Sequence, residues 1–169
     1  LSGMSRPDLW HSKADAGPAL SKVGGVGRIT QVSESGVGRY ILELTGISRF
    51  KVIEELTGLT AYRQCKVDFC AYVDDFVARK GEDDVDRAAL LGVLTDFLKA
   101  NNLQVDWEGI ESAPNEALVN ALAMMSPYGP AEKQAMLEAV DLKTRAEMLV
   151  AMTEMDLAKK RTSGDTGLQ

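Results

Sequence analysis

The sequence has one histidine, two cysteines and no surplus of positive charge, and each shortage removes a class of function. His11 stands alone; without a second histidine or a nearby cysteine pair it makes no metal site, and a surface or loop-packing role is what such a residue implies. Cys65 and Cys70 lie in one predicted strand and point to opposite faces, so they do not pair readily. Two thiols without a disulfide framework suit a reducing cytoplasm, and the chain is expected to be cytoplasmic. A net charge of −6 over 169 residues offers no basic face of the size a nucleic acid needs. No run of about 18 apolar residues and no signal-peptide core occurs. No Gly-x-x-x-x-Gly-Lys-Ser/Thr loop occurs either, so the chain encodes no P-loop ATP site, and no motif implies a cofactor or a metal.

What remains is 45% hydrophobic and 26% charged, an ordinary globular composition long enough for one domain or for one domain with a helical appendage. Leu1–Leu20, punctuated by Pro7, Gly17 and Pro18, has no sustained periodicity and reads as a loop. Val23–Val32 alternates as a strand. Its Gly25-Val26-Gly27 imitates a phosphate loop, but the third glycine is missing and no helix follows, so the glycines imply close backbone packing. Ser33–Gly38 is a hairpin connection. Arg39–Glu55 reads as two antiparallel strands sharing a corner at Gly46: Tyr40, Leu42 and Leu44 alternate before it, and Phe50 and Val52 after it. Leu56–Ala61 turns, and Tyr62–Tyr72 alternates again, with Cys65, Val67, Phe69 and Ala71 inward.

After the acidic segment Val73–Asp84 the period changes from 2 to about 3.6. Asp83 or Asp84 is expected to cap a helix running to about Ala100, with Leu90, Leu91, Leu94, Phe97 and Leu98 as its apolar stripe. Val105–Ala113, containing Trp107, reads as a loop. A second helix starts near Pro114, with Leu118, Ala121, Leu122 and Met125 on one face, and Ser126–Pro130 breaks it. A short third helix, Ala131–Val140, buries Met136, Leu137 and Val140. Asp141 caps a last helix to about Lys160, with Ala146, Leu149, Val150, Thr153 and Leu157 inward. The expected class is α+β: an antiparallel β lobe forming a partial barrel over residues 1–76, a four-helix bundle over 83–161, and a disordered tail over 162–169.

Catalytic chemistry is thin. Ser126 and Lys133 form a conceivable nucleophile–base pair, but they sit in a linker with no oxyanion hole. Asp74, Asp75, Glu82, Asp83 and Asp84 lack the alternate spacing and the closing glutamate of a calcium loop and read as a solvated acidic loop. The methionines of the helical half suit a surface that meets varied apolar partners, although core filling accounts for most of them. Met148, Met152 and Met155 flank the main stripe of the last helix, and Tyr40 and Phe50 lie in the β half. These five are the candidate protein-binding residues; no residue is assigned a catalytic, cofactor or metal role.

Two segments carry a family resemblance. VGGVGRITQV followed by GRYILELTGISRF gives a strand, a hairpin, and a strand ending in Gly46-x-x-Arg49-Phe50. MSPYGPAEKQAMLEAVDLKTRAEMLVAM gives a proline after the second helix, a Lys133-Gln134-x-x-Leu137-Glu138 run, and an Asp141-capped helix with arginine and repeated Leu and Met. Over roughly Ser21 to Lys160 the chain resembles the N-terminal, substrate-binding domain of the ATP-dependent Lon proteases. The resemblance implies a PUA-like β lobe, a helical bundle, and recognition of unfolded or tagged protein substrates, or docking to a protease partner. Relatives begin with a Phe-Pro-Leu strand and further elements not seen before Leu1, so the chain reads as N-terminally incomplete, with Ser2-Gly3-Met4 the end of a missing strand. It also shows neither the ATPase nor the Ser–Lys peptidase module and so reads as a stand-alone or excised domain that is not an enzyme. The alternative is a small-molecule or nucleic-acid binding module on a PUA-like fold; a basic cleft would favour it, and the acidic composition counts against RNA.

Overall fold

The computed structural model describes residues 18–57 and 60–165; His11 and most of the expected N-terminal loop lie outside them. Three antiparallel strands, β1 (Val23–Glu34), β2 (Tyr40–Leu56) and β3 (Gln64–Asp68), form an open sheet in the order β1-β2-β3. A 3-10 segment, Cys70–Phe76, and a 3-10 turn, Glu82–Asp84, lead into α1 (Arg87–Ala100), α2 (Trp107–Ser112), α3 (Asn115–Met125), α4 (Pro130–Glu138) and α5 (Leu142–Asp165). This is the expected α+β order of a partial β lobe followed by a bundle of four main helices.

The expected corner at Gly46 is not a reversal. Residues on both sides of it pair with β1, Thr45 with Arg28 and Ser48 with Val26, so the two expected strands are one, Tyr40–Leu56. The ladder slips there instead: Ile47 is an extra residue on β2, and Thr30 is an extra residue on β1. Such bulges bend and twist a ribbon without ending it. The glycines of β1 do mark close approach. A side chain at Gly24 would meet the Phe50 ring at 2.8 Å, and one at Gly27 would meet the Thr45 carbonyl at 3.2 Å. The hairpin turn needs left-handed backbone at Gly36 and Gly38. Strand β3 ends at Asp68, four residues short of the expected limit, and it is Tyr72 that goes inward while Ala71 stays exposed.

The apolar core lies in the helical half. Val85, Leu90, Leu118, Val119, Met136, Leu142, Ala146 and Leu149 form one buried cluster, with Leu90 and Val119 fully enclosed. Each enclosed aliphatic side chain contributes on the order of 1.5–3 kcal/mol. Aspartates start three of the helices: Asp86 accepts from Ala89 N–H, Asp106 from Gly109 N–H, and Asp141 from Thr144 N–H. The α1 cap is therefore Asp86. Asp83 and Asp84 are used up in a 3-10 turn that exits through extended Val85. Trp107 opens a short helix instead of lying in a loop. Two core assignments also change. Val119 replaces Met125, which lies on the last turn of α3 and is exposed; Ala139 replaces Val140, because the backbone turns extended at Ala139 and throws Val140 to 74% exposure. Helix α5 continues past Lys160 to Asp165, so the segment expected to be a tail starts as helix.

Candidate protein-binding surface

The distal two-thirds of the β1–β2 hairpin is a two-stranded ribbon whose two faces are both open among the described residues. Alternation puts Tyr40, Leu42 and Leu44 on one face of β2 and Ile41 on the other, and all four are more than half exposed. On β1, Ile29 and Val32 add to them. Strand β3 pairs with β2 only from Lys51 to Leu56, so no described strand takes up the outer edge of β2 before that point. A contiguous apolar surface of this kind, open among the described residues, makes the ribbon a candidate contact site.

Where the ribbon meets the helices, Arg49 makes the joint. Its guanidinium forms a two-pronged ion pair with Asp75, 2.8 Å from Nε to Oδ2 and 2.7 Å from Nη2 to Oδ1, and its backbone N–H donates to the same carboxylate. Nη1 donates to the carbonyls of Leu137 and Ala139 at the end of α4, and the guanidinium carbon lies 4.3 Å from the Tyr72 ring centre. Planar, fixed donors of this geometry are what arginine supplies and lysine does not. Burial pushes the Asp75 carboxyl up, but the hydrogen bonds and charge of Arg49 outweigh it and hold the group below its ordinary value. Burial and the neighbouring Arg49 charge lower the pKa of Arg145, which donates to the Met136 carbonyl and to Asn120. Arg87 repeats the device with the carbonyls of Ile110, Glu111 and Ala113. Three arginines thus collect the carbonyls that helix ends leave without partners. Gln134 adds a second tie across the joint by donating to the Val23 carbonyl.

A family model for the substrate-binding domain of ATP-dependent protease La (LON) matches residues 9–154. The chain belongs to the Lon substrate-binding domain family. Among solved structures, the N-terminal domain of Mycobacterium avium complex Lon protease superposes with a TM-score of 0.60 at 20% identity, over 83% of this chain and 74% of that one. No curated protein matches. The likeness in fold and the family match agree with the order of strands and helices described above.

Within this Lon-type domain the five candidate contact residues do not form one patch. Tyr40 is exposed at the start of the ribbon. Phe50 is half-buried, covering Gly24 and standing edge-on to Phe69 with ring centres 6.0 Å apart. Met155 is exposed on α5, whereas Met148 and Met152 are half-buried and Met152 packs on the helical core. Ile41, Leu42 and Leu44 were not among the candidates, although their alternation was read; a strand with one apolar face buried gives the same pattern.

The acidic segment is not simply solvated. Asp75 is committed to Arg49, and Glu82 is buried, accepting from Glu116 N–H at 2.8 Å and pairing with Arg79. The Glu116 N–H and the Arg79 side chain hold the Glu82 carboxyl below its ordinary value. Ser126 donates to the Leu122 carbonyl and Lys133 to the Met124 carbonyl, so both finish α3 and neither is directed at the other. Among the described residues no group of acidic, histidine or cysteine side chains is arranged to hold a metal ion. Among the described residues no helix is long and apolar enough to cross a membrane. Open grooves among the described residues include two at the helices and the joint. One, about 990 Å³, runs past Leu91, Leu98, Leu103, Val105 and Trp107; the other, about 630 Å³, lies at the joint beside Val23, Val52, Tyr72 and Val140. Neither is a basic cleft.

Proposed function

We propose that this domain is a non-catalytic protein-binding module that engages unfolded or tagged segments of protein substrates for ATP-dependent proteolysis, or docks to a protease partner, in the cytoplasm. The observation that carries the reading is the match to the Lon substrate-binding family over most of the chain. It is supported by the open apolar ribbon around Tyr40, Leu42 and Leu44, which suits extended segments better than a closed pocket would. Tyr40 and Met155 are the candidate contacts with free surface, on separate elements; Phe50, Met148 and Met152 are half-buried and offer less of it.

The test is binding of the purified chain to a fluorescent, chemically unfolded protein, with the native form of the same protein as control. Preferential binding to the unfolded form, at a Kd on the order of micromolar, is the expected result. Tyr40→Ser combined with Leu42→Ser is expected to weaken it about tenfold or more. Equal affinity for native and unfolded forms, or none for either, would overturn the reading.

A further inference from the structure

We propose that the groove between α1 and residues 103–111 receives an apolar stretch of an unfolded substrate flanked by lysine or arginine. The inference rests on the protein-binding reading and names the chemistry of the segment bound. Local signals build the groove. Asn102, at a φ of 51°, lets its own N–H reach the Lys99 carbonyl and Leu103 N–H reach the Leu98 carbonyl at 2.9 Å. Helix α1 thus ends in a Schellman turn that doubles the chain back. The Asp106 cap then starts α2 at Trp107, and Arg87 holds the other end of α2 by the carbonyls of Ile110, Glu111 and Ala113. Between these ties Leu103, Val105 and Trp107 stay exposed beside α1. The Leu103 end lies away from the sheet: Lys160, about 27 Å along α5 from Leu142, donates to Asn101 where α1 ends.

Gly92 forms part of the floor. It stands inside α1, where glycine costs about 1 kcal/mol relative to alanine, yet a side chain built there would meet nothing within 4 Å. No described contact requires the glycine; an occupant that comes close to the α1 backbone does. Trp107 adds a broad apolar wall of the residue type that dominates contact energies. Charge then selects what the occupant carries. Glu111 lines the groove, Asp96 follows Gly92 by one turn of α1, and Asp106 and Glu108 flank Trp107. Against these four carboxylates stands Lys99. Arg87 is committed to the α2 carbonyls, and Lys160 to Asp156 at 3.1 Å. An apolar segment with basic neighbours complements this rim, and one with acidic neighbours is repelled by it.

Two unstructured peptides, Lys-Lys-Leu-Phe-Leu-Lys-Lys and its Glu-flanked counterpart, test this on the full chain carrying Trp10→Phe, so that Trp107 alone reports. The Lys-flanked peptide is expected to shift Trp107 emission to the blue and to bind about tenfold or more tighter than the other. Gly92→Leu fills the floor with a good helix former and is expected to weaken that binding about tenfold, with circular dichroism and melting checking that it is folded. Glu111→Lys, a change at an exposed residue, is expected to reduce the preference between the peptides about threefold. Emission that responds to neither peptide, or to both alike, would overturn the proposal. So would a folded Gly92→Leu chain that binds as its parent does, or an unchanged preference in Glu111→Lys. Preferential binding of unfolded over native protein that persists alongside such results removes the groove and leaves the protein-binding reading standing; its loss removes both.

Discussion

The two halves of this domain use their apolar residues differently. In the helical half, apolar side chains spaced at a helical period meet across α1, α3, α4 and α5 and leave the solvent, Leu90 completely. In the ribbon, Leu42 and Leu44 alternate just as regularly and remain exposed, because no described element is layered behind this two-stranded hairpin. One half is held by burial. The other is held by its backbone ladder and by a single arginine joint at its base. Regular patterning therefore shows that an element exists, but whether its apolar face serves stability or contact depends on what the chain places against it.

The joint is where that contrast is easiest to break. Arg49→Ala leaves Asp75 partly buried without its cation and strips the Leu137 and Ala139 carbonyls of a donor. Removing one partner of such a pair costs about 3–5 kcal/mol, and the lower part of that range applies because Asp75 keeps some contact with water. Urea unfolding followed by circular dichroism should register this loss. Hydrogen exchange should show the ribbon losing protection before α1 and α5 do, since their core does not involve Arg49. Unfolding of all elements together, with the wild-type midpoint, would mean the joint is not what anchors the ribbon.

How far the sequence disclosed these features follows from their range. Helices were legible because period, caps and breakers are local: Asp141 and Pro130 act within a turn of where they stand. The Gly46 region misled because a bulge and a reversal both call for a small residue, and only pairing with β1, some twenty residues earlier, distinguishes them. Arg49 was visible within the Gly-x-x-Arg-aromatic motif, yet its partners lie 26 to 90 residues away, which no local pattern reports. Glu82 looked like one of several loop acids for the same reason: its ligands are Glu116 N–H and Arg79. The candidate contact surface was half legible. Tyr40 was named by residue type and is exposed, and its neighbours Ile41, Leu42 and Leu44 were read only as an alternating strand because alternation alone cannot say which face is covered.

Acid separates the halves next. Burial raises the Asp75 carboxyl, but Arg49 more than offsets it; Glu116 N–H and Arg79 lower Glu82, and Thr144 lowers Asp141. All three fold with pKa values below their unfolded ones, so over that interval the unfolded chain binds more protons. The stability they provide is complete above the unfolded values and is lost as pH falls through the folded ones. The urea midpoint should thus stay flat from about pH 7 to about pH 5 and fall below about pH 4. Asp141→Asn keeps a good cap for α5 and should flatten that acid limb while changing neutral stability little. An unchanged acid limb in this variant would remove Asp141 from the linkage.

The smallest effect on stability is expected where the apolar pattern looks strongest. Leu44→Thr keeps a residue that favours strands, and it removes a side chain that is already 62% exposed. It should shift the unfolding free energy by less than about 0.5 kcal/mol. Truncating fully enclosed Leu90 to alanine removes a comparable amount of hydrocarbon from the core and should cost about 3 kcal/mol. If the two substitutions cost the same, the ribbon is covered in solution, and its leucines serve the fold as those of α1 do. If only Leu90 matters to stability while Leu44→Thr weakens binding of unfolded protein, the alternation of β2 has been kept for contact, and the ribbon owes its shape to its ladder and to Arg49.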